Sequence, residues 1–349
     1  MRYATMLLVL TSFGCTRGMF VNTRSEVALT TPMRGNMTMT MSAGTPEGTG
    51  GPVIAMPVDG SPAGQKGAKI ALIDVDGLLV NQNLNGPLFV GDNPVAIFQE
   101  KLDATRADPE VCAVVVRINS AGGGVTATDV MRHLLQQYRA STKRPVVACI
   151  VDVGAGGAYY LATAADSIVA HPTAITGGVG VIWNSYNLRD LMAQFNVIPQ
   201  SIKAGANIDM GSASHSIPVE TKKLLQQMAE EYHQRFKMVV KNSRPKVDSD
   251  NETTFDGRVF TAPQALERGL IDGLGYLDDA TALARQLADQ PKANVVMYQR
   301  ATNPAYSTYA DKTSTTPTQS MVPVRMPGLE RSRLPTFLYL WQPEPTQDR

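Results

Sequence analysis

VVVRINSAGGGVTATD, residues 114–129, runs from an apolar, β-branched stretch through three glycines into the start of an amphipathic segment. A continuous apolar run of this length, bounded by a turn signal, reads as a strand buried on both faces. Glycines between such a strand and a helix let the backbone turn sharply and approach another chain closely. GAGGAYYLATAADSIVAHPTAITGGVGV, residues 154–181, follows the same plan, with glycines, a short helix and further apolar strands.

Outward from these two stretches the pattern alternates. KIALIDVDGLLV from Lys69 gives an apolar strand with a turn signal at Asp76-Gly77. Helical spacing covers 93–107, a strand 111–118, a helix 125–139, a strand 145–153 and a helix 157–165. Short strands are expected around 168–170 and 180–182, and helices over 219–241 and 262–268. Repeated strand-then-helix units define an α/β layer structure with parallel pairing.

The 349 residues, 43% of them hydrophobic, hold ample material for a core, and a net charge of +1 from 32 basic and 31 acidic residues gives no basic footprint for DNA or RNA. Nucleic acid is therefore excluded as a partner, and no cofactor is expected. His133, His171, His215 and His233 lack paired-ligand spacing, which excludes a metal site. Cys112 and Cys149 each sit inside a β-branched run and read as buried structural thiols, with a disulfide left open by spacing alone.

The organisation expected along the chain is a signal peptide at 1–14, a Gly, Pro, Thr and Met-rich flexible tether at 15–66, one main domain at 67–290, a polar linker at 291–333 and an aromatic tail at 334–349. Met6 to Leu10 is too short to span a bilayer. Ser12-Phe13-Gly14-Cys15 resembles the bacterial lipobox, which implies lipidation at Cys15 and anchoring to a membrane, the alternatives being a plain cleaved signal or an uncleaved anchor. The tail residues Leu334 to Trp341 need covering, by their own domain or a neighbouring subunit, and docking is favoured over membrane contact.

Residues 69–287 are similar to the signal peptide peptidase A family of bacterial serine peptidases. The resemblance implies the Clp protease/crotonase-like spiral of repeated strand-strand-helix units, peptide substrates, and assembly into homo-oligomers or with an active relative. Arg117 to Gly124 resembles the family's oxyanion turn, with Ala121 where proline is usual, so Gly122, Gly123, Gly124 and Gly157 are implied to bind substrate, opposite Gly177, Gly178 and Val179. Ser120 precedes that turn and is expected to stabilise it.

Counting back from Tyr159 and Asp166 puts Gly156 at the family's serine, while the Clp register puts Ala155 there. Neither has a nucleophile. Ser201 to Asp209 resembles the segment carrying the lysine base, and that position is Ile208, with Lys203 an ordinary solvated lysine nearby. Asp256 to Gly275 matches the family's structural C-terminal piece, with Thr261 capping a helix that Gly269 ends. The resemblance thus implies an envelope protein, lipid-anchored or periplasmic, that binds extended peptides without the Ser/Lys dyad. Two alternatives stand beside it: a displaced nucleophile among Ser212, Ser214 and Ser216 next to His215, and crotonase-like acyl thioester chemistry at paired backbone amides.

Overall fold

The computed structural model describes residues 52–58, 67–84, 92–300 and 336–341, all within one compact unit, Pro46–Arg349. Cys15 and the expected signal peptide at 1–14 lie outside the described residues, as do most of the expected tether and linker.

The centre is a parallel sheet. β2 (Lys69–Leu79), β3 (Val111–Gly124), β4 (Val146–Ala155) and β5 (Ser167–Ala170) lie side by side in chain order, all parallel. Between them the chain crosses over through α1 (Pro94–Ala107), α2 (Val125–Thr142) and α3 (Gly157–Ala162). The two-residue side-chain period of a strand explains the layering. Ile73, Val116 and Ala148 point to the face covered by α1 and α2 through Phe98, Leu102, Met131 and Leu135. Leu72, Val115 and Val147 point to the opposite face, covered by Leu277, Ala280 and Ala284 of a later helix, α7 (Leu277–Leu287). Helix α1 starts where Asn93 accepts from the Val95 amide at 3.0 Å, with Pro94 at its first position.

Several sequence expectations need correction. Val53–Pro57, inside the segment read as tether, is a strand, β1, antiparallel to β9 (Asn294–Arg300), which itself lies inside the segment read as polar linker. β9 runs parallel to β2, so the sheet extends two strands beyond the expected domain of 67–290. Both were missed because mixed sequences such as VIAMP and NVVMYQR carry no clean alternation when tertiary pairing supplies the stabilisation. Gly77 is a bulge rather than a turn: its φ is +67° and β2 continues past a register shift to Leu79. Residues 180–182 form no strand, and the chain there contributes one isolated bridge at Ile182. The strand in that region is β6 (Ile175–Gly177), paired with β4 and antiparallel to β7 (Val259–Thr261).

After β6 come α4 (Arg189–Gln194), the long α5 (Val219–Ser243), and α6 (Ala262–Glu267), which follows β7 and leads to β8 (Gly273–Leu274) beside β5. Thr261 and Gln264 form the capping box of α6, and Gly269, at φ +71°, ends that helix as expected. Cys112 and Cys149 are both free thiols, and burial pushes the Cys149 thiol up to about 12, so it is an inert core group.

On the α7 face an ion pair is buried between neighbouring strands: Asp74 on β2 sits opposite Arg117 on β3, 2.8 Å apart. Removing one partner of such a pair leaves a buried charge. Asp74→Ala should therefore lower unfolding stability by about 3–5 kcal/mol in denaturant titrations, and the volume-matched double replacement Asp74→Leu, Arg117→Met should recover most of it.

Candidate functional site

The two glycine turns converge. β3 ends in Gly122-Gly123-Gly124 and β4 ends at Ala155, where the chain turns through Gly156 into α3. Gly156 has φ +54° and ψ −124°, outside the regions that residues with a side chain prefer, and it forms a sharp strand-to-helix elbow. Its N–H donates to the Gly177 carbonyl at 2.9 Å, which ties the elbow to β6. Ser120 does what the sequence suggested: its hydroxyl donates to the Gly77 carbonyl at 2.5 Å and accepts from the Gly122 amide at 3.0 Å, holding the turn open.

A third piece of chain completes the site. β10 (Leu338–Leu340), from the aromatic tail, pairs antiparallel with the glycine turn, Leu338 opposite Gly124, Tyr339 opposite Gly123 and Leu340 opposite Gly122. The Val125 amide donates to the Phe337 carbonyl at 3.2 Å and the Trp341 amide to the Ala121 carbonyl at 3.0 Å. On the other edge Leu338 exchanges two hydrogen bonds with Ile182, each 3.0 Å. A five-residue extended segment, Phe337 to Trp341, is thus clamped from both sides by main chain.

Small residues make this possible. A Cβ on Gly122 would collide with the Tyr339 carbonyl oxygen and stand 2.6 Å from the Gly157 amide nitrogen, so that oxygen and that N–H share one small space. A Cβ on Gly156 would lie 2.6 Å from the Tyr339 oxygen and 2.9 Å from its carbonyl carbon. The Tyr339 carbonyl therefore faces residue 156 with the Gly157 amide nitrogen close by.

Side chains of the clamped segment fill aromatic pockets. Tyr339 is fully buried against Tyr160 and Phe236, ring centroids 5.3 and 4.7 Å away, and its hydroxyl donates to the Tyr232 carbonyl at 2.8 Å. Phe337 packs on Trp183 and Tyr232, at 4.6 and 5.1 Å. Beyond Leu340 and Trp341 opens a cavity of about 350 Å³ lined by Gly178, Ile182, Glu230, His233 and Asp256 among others. The pocket wall is braced by charge: Tyr160 donates to Asp129 at 2.6 Å, and Arg235 of α5 donates to the same carboxylate at 2.9 Å.

The remaining expected residues fall in different places. Gly177 and Gly178, at φ +94° and +65°, turn the chain away from the sheet. Gly177 supports the elbow from behind, Gly178 borders the cavity, and Val179 is interior with its carbonyl bonded to His233 at 2.9 Å. The residue that meets the tail from this side is Ile182, not Gly177 to Val179, because the two glycine turns delay the return of the chain to the groove. Ile208 stands 72% exposed in a turn whose own Gly205 carbonyl accepts its N–H, and a lysine in so wet a setting would stay protonated. His171 is bonded to Thr173 and stacked edge-on with Tyr276, a structural role.

Ser212 to His215 are half-buried, Ser216 is exposed, and the Ser212 and Ser214 hydroxyls are hydrogen-bonded at 2.8 Å. Ser214 Oγ is 3.3 Å from His215 Nδ1, and His215 Nε2 is 3.6 Å from Asp209, which Lys203 holds at 2.7 Å. The Asp209 carboxyl is held below its usual range chiefly by that lysine. With Asp209 committed to Lys203 and its gap to the imidazole longer than a hydrogen bond, this row lacks the orienting bond of a working triad. Among the described residues no group of His, Cys, Asp and Glu is placed to hold a metal ion.

A buried strand ending in a glycine amide turn, a sharp strand-to-helix elbow facing it and an extended peptide between them define a serine-peptidase type of scaffold. A model of peptidase family S49 matches residues 138–291. Protease 4 of Salmonella typhi is 30% identical over 233 residues, 67% of this chain and 37% of that one. The chloroplastic serine protease SPPA of Arabidopsis thaliana is 31% identical over 242 residues, 68% of this chain and 35% of that one. The putative signal peptide peptidase SppA of Enterococcus faecium is 26% identical over 240 residues, 68% of this chain and 69% of that one. The chain belongs to the signal peptide peptidase A family, peptidase family S49, and it spans little more than a third of the first two relatives, 37% and 35%. A solved mutant of the 1510-N membrane-bound stomatin-specific protease in complex with a substrate peptide is 14% identical, with a TM-score of 0.40, covering 63% of this chain and 81% of that one.

The Asp129 brace has a pH signature. Burial works to raise its carboxyl, but the hydrogen bonds from Tyr160 and Arg235 outweigh that and hold it below the usual carboxylate range. A depressed acid stabilises the fold fully above its unfolded pKa and loses that contribution as pH falls through the folded value. Asp129→Asn should cost about 1 kcal/mol at neutral pH, since the group is partly solvated. Thermal melts of the two proteins should converge as pH drops below the ordinary carboxylate range.

Proposed function

We propose that this chain is a catalytically silent member of its family that binds extended, apolar peptide segments in the groove between Gly122–Gly124 and Ile182. The observation that carries the reading is the elbow: Gly156 occupies the turn that faces a clamped peptide carbonyl, and glycine has no atom to attack it. Main-chain clamping of an extended segment does not depend on a nucleophile, so binding survives without chemistry. Ile208, exposed and uncharged, supports the same reading at the position expected for the base.

Assembly belongs to this proposal. α4 buries none of its residues, and the following stretch exposes Phe195, Ile198, Ile202 and Ile208, an apolar surface suited to a second copy or an active relative. Lipidation at Cys15 would hold the protein at a bacterial envelope membrane. No described helix is long and apolar enough to cross one.

Assays on unfolded protein and apolar reporter peptides test the reading. The unaltered chain should give no hydrolysis above blank. Hydrolysis by the unaltered chain that disappears on Ser214→Ala would replace this proposal with the displaced-nucleophile one.

A further inference from the structure

The C-terminal end of α2 borders another cavity, of about 600 Å³, lined by Arg139, Lys143, Arg144, Pro145, Asp166 and Leu287 among others. It is remote from the groove. Helix α2 leaves the glycine turn at Val125 and runs for 18 residues, about 27 Å, before the chain turns at Lys143 to begin β4, so the cavity lies at the opposite ends of the strands. We propose that this cavity is an anion site for a phosphate group, carried on a small molecule or a lipid headgroup whose apolar part lies against Pro145 and Leu287.

The charge balance favours an anion. Arg139 holds Asp166 through two of its nitrogens, and the two charges cancel. Arg144 donates to the Thr105 and Asp108 carbonyls at 2.6 and 2.9 Å, which are neutral acceptors. Among the described residues no carboxylate lies within ion-pair reach of Arg144 or Lys143, so two positive charges are left over. The C-terminal ends of α2 and α7 meet the same cavity and offset about half a charge each, which leaves roughly one. Because the guanidinium groups are already engaged with chain oxygens, the donor that remains is the Lys143 ammonium. It is a point charge with three donors, suited to phosphate oxygens, whereas paired recognition of a carboxylate calls for a fork.

Two further observations agree. Lys143 stands where the backbone favours glycine: its φ is +58°, and its N–H closes α2 on the Arg139 carbonyl at 2.9 Å. A Cβ is unfavourable in that conformation, yet the residue there sets an exposed ammonium beside the cavity. The wall next to the charges is apolar, with Leu287 45% exposed beside Pro145. The volume falls in the range of small-molecule sites, about 300–1,000 Å³, and exceeds what a bare ion fills.

The probe is phenyl phosphate, a phosphate monoester with an apolar ring, titrated calorimetrically into the full chain at constant ionic strength. Lys143→Gly removes the charge and relieves the left-handed residue, so this variant should melt no lower than the unaltered chain. Ala140→Glu sets a carboxylate in the exposed wall of the cavity. The expected result is a Kd of about 1 mM or tighter, weakened at least tenfold in either variant. Flotation with phosphatidylglycerol vesicles, against phosphatidylcholine vesicles, separates the two sources of phosphate. Flotation that needs the anionic lipid and is lost in Lys143→Gly assigns the site to a headgroup, and phenyl phosphate binding without such flotation assigns it to a soluble ester. Equal phenyl phosphate binding by Lys143→Gly and the unaltered chain overturns the site, as does the absence of both binding and Lys143-dependent flotation.

Discussion

The site exists because three main chains meet at Gly122 and Gly123 with no side chain between them. A Cβ at Gly122 would strike the tail, and one at Gly123 would strike the Leu79 carbonyl and stand 2.6 Å from its carbonyl carbon. The end of β2, the end of β3, the α3 elbow and the C-terminal strand can be stacked this closely only where backbone packs on backbone. The bulge at Gly77 belongs to the same constraint. It shifts the end of β2 so that Leu79 lies along Gly123, and it offers the carbonyl that holds Ser120 in place. Altering any one glycine would move more than its own residue.

Much of this was legible in the chain. The apolar runs at 111–118 and 145–153 predict buried parallel strands, and the structure makes them the two central ones, β3 and β4. The helices at 94–107, 125–142 and 219–243 follow their apolar spacing closely. The glycine turn and the elbow were readable because glycine clusters between a strand and a helix have few other uses. Ser120 holds the turn, as its place in the sequence implies, by donating to Gly77 and accepting from Gly122.

What was not legible depends on partners distant in sequence. The pocket residues Tyr160, Trp183, Tyr232 and Phe236 come from three separate segments, and local spacing links only Tyr232 and Phe236, one turn apart on α5. Ile182 carries no local signal in the sequence, whereas Gly177 and Gly178 do, and in the structure it is Ile182 that bridges the tail while those glycines turn the chain. β1 and β9 escaped because neither alternates cleanly, and each is a strand by virtue of what it pairs with. The tail gave a partial signal. Phe337, Tyr339 and Trp341 alternate with leucines as a strand would, which marks a segment wanting cover without saying where.

β1 has a consequence beyond its own pairing. It lies outermost in the sheet, lining the free side of β9, and it finishes in Pro57, a residue with no N–H to offer a further strand. The short stretch ahead of the main domain is thus a lid on an adhesive edge. A shortened form beginning after Pro57 would keep the groove intact and yet present β9 as an open template along which one molecule could be zipped to the next.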